Sequence, residues 1–149
     1  MTVTEICRLA PVVPVLVVED AAIAAPLARA LVAGGLRALE VTLRTPAALD
    51  AIREMVAAAP DAVVGAGTLL TPADIEAAVA AGARFGVSPG ATARLLDAAA
   101  AAGLPMLPGV ATPSEAMAAA ERGCEVVKFF PAERNGGVET LKAWAGPLA

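Results

Sequence analysis

AVVGAGTLLTPADIEAAVAAGARFGVSP (Ala62–Pro89) reads as a strand, a capped helix, a glycine stop and a second strand. Ala62–Thr68 is apolar and small. Thr71-Pro72 opens a helix that closes at Gly82, with proline at its tolerated first-turn position. Arg84–Pro89 begins the next strand. The same unit recurs on both sides at a spacing of roughly 20–25 residues, and such a period outranks any single-residue signal.

Toward the N-terminus, VVPVLVV (Val12–Val18) is a continuous β-branched run, expected as a strand buried on both faces. Glu19-Asp20 opens an alanine-rich helix that ends at Gly34-Gly35, and Ala38–Leu43 is the next strand. Thr45-Pro46 is expected to start a helix running to about Pro60. Toward the C-terminus, a helix from about Thr92 to Gly103 precedes a strand at Leu104–Val110. Thr112-Pro113 starts the helix that ends near Gly123, and Cys124–Phe130 is a sixth strand. The loop Pro131–Gly137 leads to a helix at about Val138–Ala145, and a short helix at Thr4–Leu9 precedes everything. No linker or low-complexity tract interrupts the pattern, so residues 1–149 are expected to form one domain.

Alternating strands and helices imply a parallel sheet with right-handed crossovers, either doubly wound or closed as a (β/α) barrel. Glu40, Arg44, Thr68, Ser88 and Lys128 lie on or just after strands of four different units. A barrel gathers the C-terminal ends of its strands at one mouth, whereas an open sheet leaves several of them far from its crevice. The polar residues therefore favour the barrel, although only about six of its eight strands are visible.

Composition narrows the chemistry. The chain has 149 residues, 58% hydrophobic and 17% charged, with no histidine and no tyrosine. Its apolar content is ample for a core and excludes disorder. Much of that content is alanine, and no apolar run approaches the ~20 residues that span a bilayer. The N-terminus lacks the basic start and cleavage site of a signal peptide. A net charge of −4 without a basic stretch argues against a nucleic-acid partner. Cys7 and Cys124 are too few for a disulfide framework, which points to a reducing cytoplasm. The absence of histidine excludes Ser-His and Cys-His nucleophiles and His-ligated zinc. Carboxylates, lysine, arginine, hydroxyls and backbone groups remain. Nine of the eleven basic residues are arginine, so only Lys128 and Lys142 carry an amine.

Lys128 stands between Val126-Val127 and Phe129-Phe130. An ordinary surface lysine packs its stem on the protein and sends its ammonium to water. The apolar flanks favour an inward position instead. An exposed lysine, with pKa ~10.4, is protonated and inert near neutrality. Desolvation in an apolar pocket releases a neutral amine able to attack a ketone and form a Schiff base, the electron sink for breaking an adjacent carbon–carbon bond. Lys142, on the last helix, reads as an ordinary exposed lysine. Imine chemistry needs proton transfers, and Glu40, between Leu39 and Val41, is the leading carboxylate for them. A plain strand-end salt bridge to Arg44 is its rival role. Arg44 suits a bidentate grip on a carboxylate or phosphate. Thr68 follows Gly65-Ala66-Gly67, where small residues let backbone N–H groups approach an anion. Ser88-Pro89-Gly90 is by default a turn.

PVVPVLVV, ALVAGGLRALEVTLRTPAALDAI, VVGAGTLLTP, AGARFGVSPG, LPGVATPSEAM and VVKFFPAERNGGVETLKAWAGP run in order from Pro11 to Pro147. Together they resemble the bacterial 2-keto-3-deoxy-6-phosphogluconate (KDPG) and 4-hydroxy-2-oxoglutarate (KHG) aldolase family, most specifically in EVTLRTP and KFFPAE. The resemblance implies a class I, metal-free and cofactor-free lyase on a (β/α)₈ barrel, a cytoplasmic homotrimer acting on a small 2-oxo acid. It implies Lys128 as the Schiff-base lysine and Glu40 as the general acid/base. It assigns Arg44 and Thr68 to the pyruvate carboxylate and puts Pro89 and Phe130 in the pocket lining. The family pattern continues with a seventh strand carrying Thr-Gly-Gly and an eighth carrying Gly-Gly-Ser. The sequence ends at Ala149 before either, so the expectation is a barrel domain truncated ahead of its last two strands. A non-catalytic truncated or engineered barrel scaffold is the alternative. A phosphosugar isomerase on a similar barrel is a third reading, one that gives Lys128 no covalent role.

Overall fold

The computed structural model describes residues 1–148. Among these residues seven α-helices and seven parallel strands follow in the order α1 Val3–Cys7, β1 Val15–Leu16, α2 Ala24–Ala33, β2 Ala38–Thr42, α3 Ala48–Ala58, β3 Val63–Gly67, α4 Pro72–Ala80, β4 Gly86–Val87, α5 Ala93–Ala101, β5 Met106–Leu107, β6 Gly109–Val110, α6 Pro113–Glu121, β7 Lys128–Phe129 and α7 Gly137–Ala145. The strands pair strictly in chain order, β1-β2-β3-β4-β5 in one sheet and β6-β7 in a second. No reversal of order occurs, which removes the doubly wound alternative. Each strand lies beside its predecessor, the arrangement of a TIM-type barrel. Among the described residues the arc stays open, with β1 paired to β2 alone and β7 to β6 alone.

β2 and β3 are the centre of the arc, five residues each and buried throughout. Their alternation sorts side chains to two faces. Leu39, Val41, Val64 and Ala66 join a large cluster with Ile52, Met55 and other helix residues. Ala38 and Val63 join a smaller cluster with Ile6, Phe85 and Val87 on the other face. The helices α2–α5 thus cover the outer face, while α1 closes the inner face at the N-terminal ends of the strands. A hydrogen bond from Thr4 Oγ1 to Glu125 Oε2 (2.9 Å) ties α1 to the segment before β7.

The expected elements occur, with three differences. The first expected strand shrinks to Val15–Leu16, and Val12, Val15 and Val17 are about half exposed, because this edge has a neighbour on one side only. The expected strand Leu104–Val110 is divided at Pro108, which has no N–H to donate. Residues on one side of Pro108 pair with β4 and those on the other with β7, so the arc continues through it. The expected strand Cys124–Phe130 pairs over Lys128–Phe129 alone.

Thr-Pro opens two helices rather than three. Thr71 and Thr112 each cap a helix in a reciprocal capping box with Asp74 and Glu115. Thr45 has Ala48 three residues on, no carboxylate to complete the box, and α3 starts after Ala47. Its hydroxyl instead donates to Val18 O, tying the β2–α3 turn back to the end of the first strand segment.

Candidate active site

The same two-residue alternation places the site. Ala38 faces inward, so Glu40 does as well, and it is 4% exposed. On β7, Phe129 packs its ring edge-on against Trp144 of α7, 5.1 Å between centroids, on the helix side. Lys128, the preceding residue, therefore points inward. Its Nζ lies 3.9 Å from Glu40 Oε1 and 4.9 Å from the centre of the Phe130 ring. Residues 88 positions apart in sequence meet on the inner face. Glu40 and Lys128 line a cavity of about 190 Å³ with Phe85, Leu107, Ile6 and Cys7.

Burial raises the Glu40 carboxyl above its ordinary range, outweighing the attraction of the Lys128 and Arg44 cations, which lowers it. The carboxyl is thereby shifted toward the range where it both gives and takes a proton near neutrality. Burial also pushes the Cys7 thiol up, which disfavours a thiolate nucleophile in this cavity. Among the described residues no group of three His, Cys, Asp or Glu side chains is placed to hold a metal ion.

Arg44 and Thr68 sit beyond the C-terminal ends of β2 and β3. Arg44 Nε donates to Thr68 Oγ1 at 3.1 Å. Thr68 takes φ = 61°, rare for a β-branched residue and a local strain of about 1–3 kcal/mol. Pro89 is half-buried at the end of β4, with its carbonyl packed against Gly109 of β6, the register partner of Lys128. Phe130 extends β7 beside the amine. Glu40, Lys128, Arg44, Thr68, Pro89 and Phe130 thus occupy the inner face and the C-terminal rim of one arc. Lys142 lies apart on α7, exposed and paired with Glu139.

One contributor to the cavity was not visible in the sequence pattern. Phe85 lies inward in the cavity beside the Glu40–Lys128 pair, although RFGVSP drew notice only for its Ser-Pro-Gly turn. Its signal was rarity, since aromatic residues are 3% of the chain. Ser88 is buried, and its hydroxyl has no partner among the described residues. Gly65 makes room for Phe85, because a Cβ there would stand about 2.5 Å from two atoms of its ring.

A parallel β/α arc with a lysine–carboxylate pair on its inner face and an arginine–threonine pair at its rim defines the class of protein. The model of the family "KDPG and KHG aldolase" matches residues 3–149. The KHG/KDPG aldolase of Escherichia coli K12 is 52% identical over 139 residues, 93% of this chain and 65% of that protein. The chain thus spans about two thirds of the length of this relative. The KDPG aldolase of Zymomonas mobilis ZM4, crystallised with 3-phosphoglycerate, superposes with a TM-score of 0.93 at 52% identity, covering 97% of this chain and 69% of that one. The KDPG aldolase of Legionella pneumophila, with pyruvate captured as a covalent carbinolamine, gives 0.91 at 47% identity, covering 95% and 68%. The chain belongs to the KDPG and KHG aldolase family. The resemblance read from EVTLRTP and KFFPAE is borne out, and so is the barrel-type fold.

Proposed function

We propose that this protein is a class I aldolase that cleaves a 4-hydroxy-2-oxo acid, with Lys128 as the nucleophile and Glu40 as the proton shuttle. The observation that carries the proposal is the inward amine 3.9 Å from a buried carboxylate whose proton affinity is raised. The carbinolamine captured in the Legionella relative supports it.

The neutral Lys128 amine attacks C2 of the substrate and gives a carbinolamine. Glu40 protonates the departing hydroxyl, water leaves, and the iminium forms. The Glu40 carboxylate then takes the proton of the C4 hydroxyl. The C3–C4 bond breaks, its electron pair passes into the iminium as an enamine, and the aldehyde departs. Protonated Glu40 returns its proton to C3, and water attacks the new iminium, giving up a proton to the Glu40 carboxylate, to release pyruvate and the free amine. Arg44 and Thr68 hold the carboxylate of the substrate so that C2 lies in line with the amine. Pro89 and Phe130 border the substrate on the rim side, outside the cavity that Glu40 and Lys128 line. No metal or cofactor enters the sequence.

The substrate is 2-keto-3-deoxy-6-phosphogluconate, cleaved to pyruvate and glyceraldehyde 3-phosphate, with 4-hydroxy-2-oxoglutarate, giving pyruvate and glyoxylate, as a second. The same reading makes residues 1–149 part of one barrel domain, in a homotrimer in the cytoplasm. Light scattering after size-exclusion chromatography tests the trimer. Coupled measurement of pyruvate release from each substrate tests the activity. Release from at least one is expected, and release from neither overturns the proposal.

A further inference from the structure

We infer that Gly67 is a positioning residue for Glu40: the side chain it lacks leaves the space in which the Glu40 carboxylate sits. The inference rests on the reading of Lys128 and Glu40 as the reacting pair and assigns a role to a residue that acts through Glu40.

Gly67 ends β3, and alternation turns its α-carbon to the inner face with Val63 and Gly65. Its backbone does not explain its identity. The glycines with positive φ are Gly35, Gly82, Gly103, Gly123, Gly136 and Gly137 among the described residues, and Gly67 is not one of them. An L residue could adopt this conformation without strain, so space is the reason for glycine. A Cβ built at Gly67 would land on Glu40 Oε1 and stand 2.8 Å from both Cγ and Cδ. The contact runs along most of the outer half of the glutamate side chain.

The register explains why. Glu40 stands opposite Gly65, and Thr42 stands opposite Gly67. The Glu40 side chain therefore leans one pleat toward the C-terminal end of the arc, as strand side chains tend to lean along the strand. That lean brings its carboxylate over Gly67 and within 3.9 Å of Lys128 Nζ. Gly67 is also followed directly by Thr68, whose hydroxyl holds Arg44. With a methyl at position 67 the carboxylate cannot lie where it does. It must rotate away from the amine or push β2 from β3, and neither strand has slack, being fully buried.

The test is a size exchange in the full chain. Gly67→Ala should lower kcat for aldol cleavage by about 10²-fold, as a 1 Å misplacement does, with a smaller change in KM. Glu40→Asp should also lower kcat. Aspartate is one methylene shorter and clears the new methyl, so the kcat of the double variant should stand about tenfold or more above the value given by multiplying the two single losses. Glu40→Asp should not rescue Gly65→Ala, because a Cβ at Gly65 strikes Phe85 instead. Wild-type kcat in Gly67→Ala, or strict multiplication of the two losses, overturns the inference. If Gly67→Ala fails to fold, recovery of folding in the double variant supports the inference and failure of both overturns it. The same cycle read as Tm needs no activity: Glu40→Asp should relieve the Tm loss of Gly67→Ala, and additive losses overturn it. A protein that shows this Tm coupling but releases no pyruvate would contradict the aldolase reading while leaving the role of Gly67 standing.

Discussion

The two faces of β2 and β3 are built from alternate residues of the same ten positions and do opposite things. The outer face, Leu39, Val41, Val64 and Ala66, is wholly apolar and packs on the helices. The inner face offers Glu40, Gly65 and Gly67, a buried carboxylate beside two missing side chains. Each large outer residue contributes roughly 1.5–3 kcal/mol by leaving water. Burial raises the carboxyl of Glu40, so its ionised form costs stability at neutral pH. One face stabilises the arc, and that stability lets the other hold an unfavourable charge next to an amine.

The largest effect expected on the inner face comes from Lys128→Ala, which should lower kcat by at least about 10³-fold through loss of the covalent route. Its side chain is three-quarters buried beside Glu40, so the variant should also lose some Tm in calorimetry, less than truncation of a fully buried leucine costs. On the outer face Leu39→Ala should do the reverse. Its side chain is fully buried, and its truncation should cost about 2–5 kcal/mol in denaturant unfolding. The Glu40–Lys128 pair should survive in whatever fraction stays folded, so kcat per folded molecule should change little. Equal losses of kcat and stability in both variants would erase the distinction between the faces.

Arg44→Ala tests the rim, where the guanidinium is exposed and bonded to Thr68. It should raise KM by about tenfold or more, with a smaller fall in kcat, in steady-state kinetics across substrate concentration. A change in kcat alone would move Arg44 from binding to chemistry.

The smallest effect concerns pH. The folded-state pKa of Glu40 is raised, so its favourable share of stability is complete below the unfolded carboxyl range and is lost as pH rises through the folded value. Glu40→Gln removes that loss. The Tm of Glu40→Gln relative to wild type should therefore increase as pH rises from about 4, the unfolded carboxyl range, through the raised folded value. A difference that is flat or falls with pH would mean that the attraction of Lys128 outweighs burial.

Much of this was legible in the sequence, and the failures have physical causes. TPAD at Thr71 and TPSE at Thr112 each carry the carboxylate that completes a capping box, and both open helices. TPAA at Thr45 lacks it and does not. A closer reading of the third residue after each threonine separates the three. VVPVLVV promises a strand buried on both faces, but it lies at an edge of the arc with Val12, Val15 and Val17 about half exposed, which β-branched content cannot foretell. LPMLPGV hid a division at Pro108, since which strand takes each hydrogen bond is a tertiary matter. Lys128 and Glu40 stood out because a chain without histidine has few residues that move protons. Their meeting rests on inward alternation in two strands, which the period-2 pattern supplies. Gly67 and Phe85 did not stand out. GAGT suggested backbone N–H groups for an anion, whereas Gly65 and Gly67 serve the side chains of Phe85 and Glu40 from neighbouring strands. A cleared space is invisible until the residue that fills it is placed.

The central claim is that Lys128 becomes covalently joined to the substrate through its amine. The most direct measurement is borohydride reduction in the presence of pyruvate, followed by intact mass and peptide mapping. The account predicts one pyruvyl adduct per chain, located on Lys128 and absent from Lys128→Ala. No adduct, or an adduct that persists in Lys128→Ala, would contradict it.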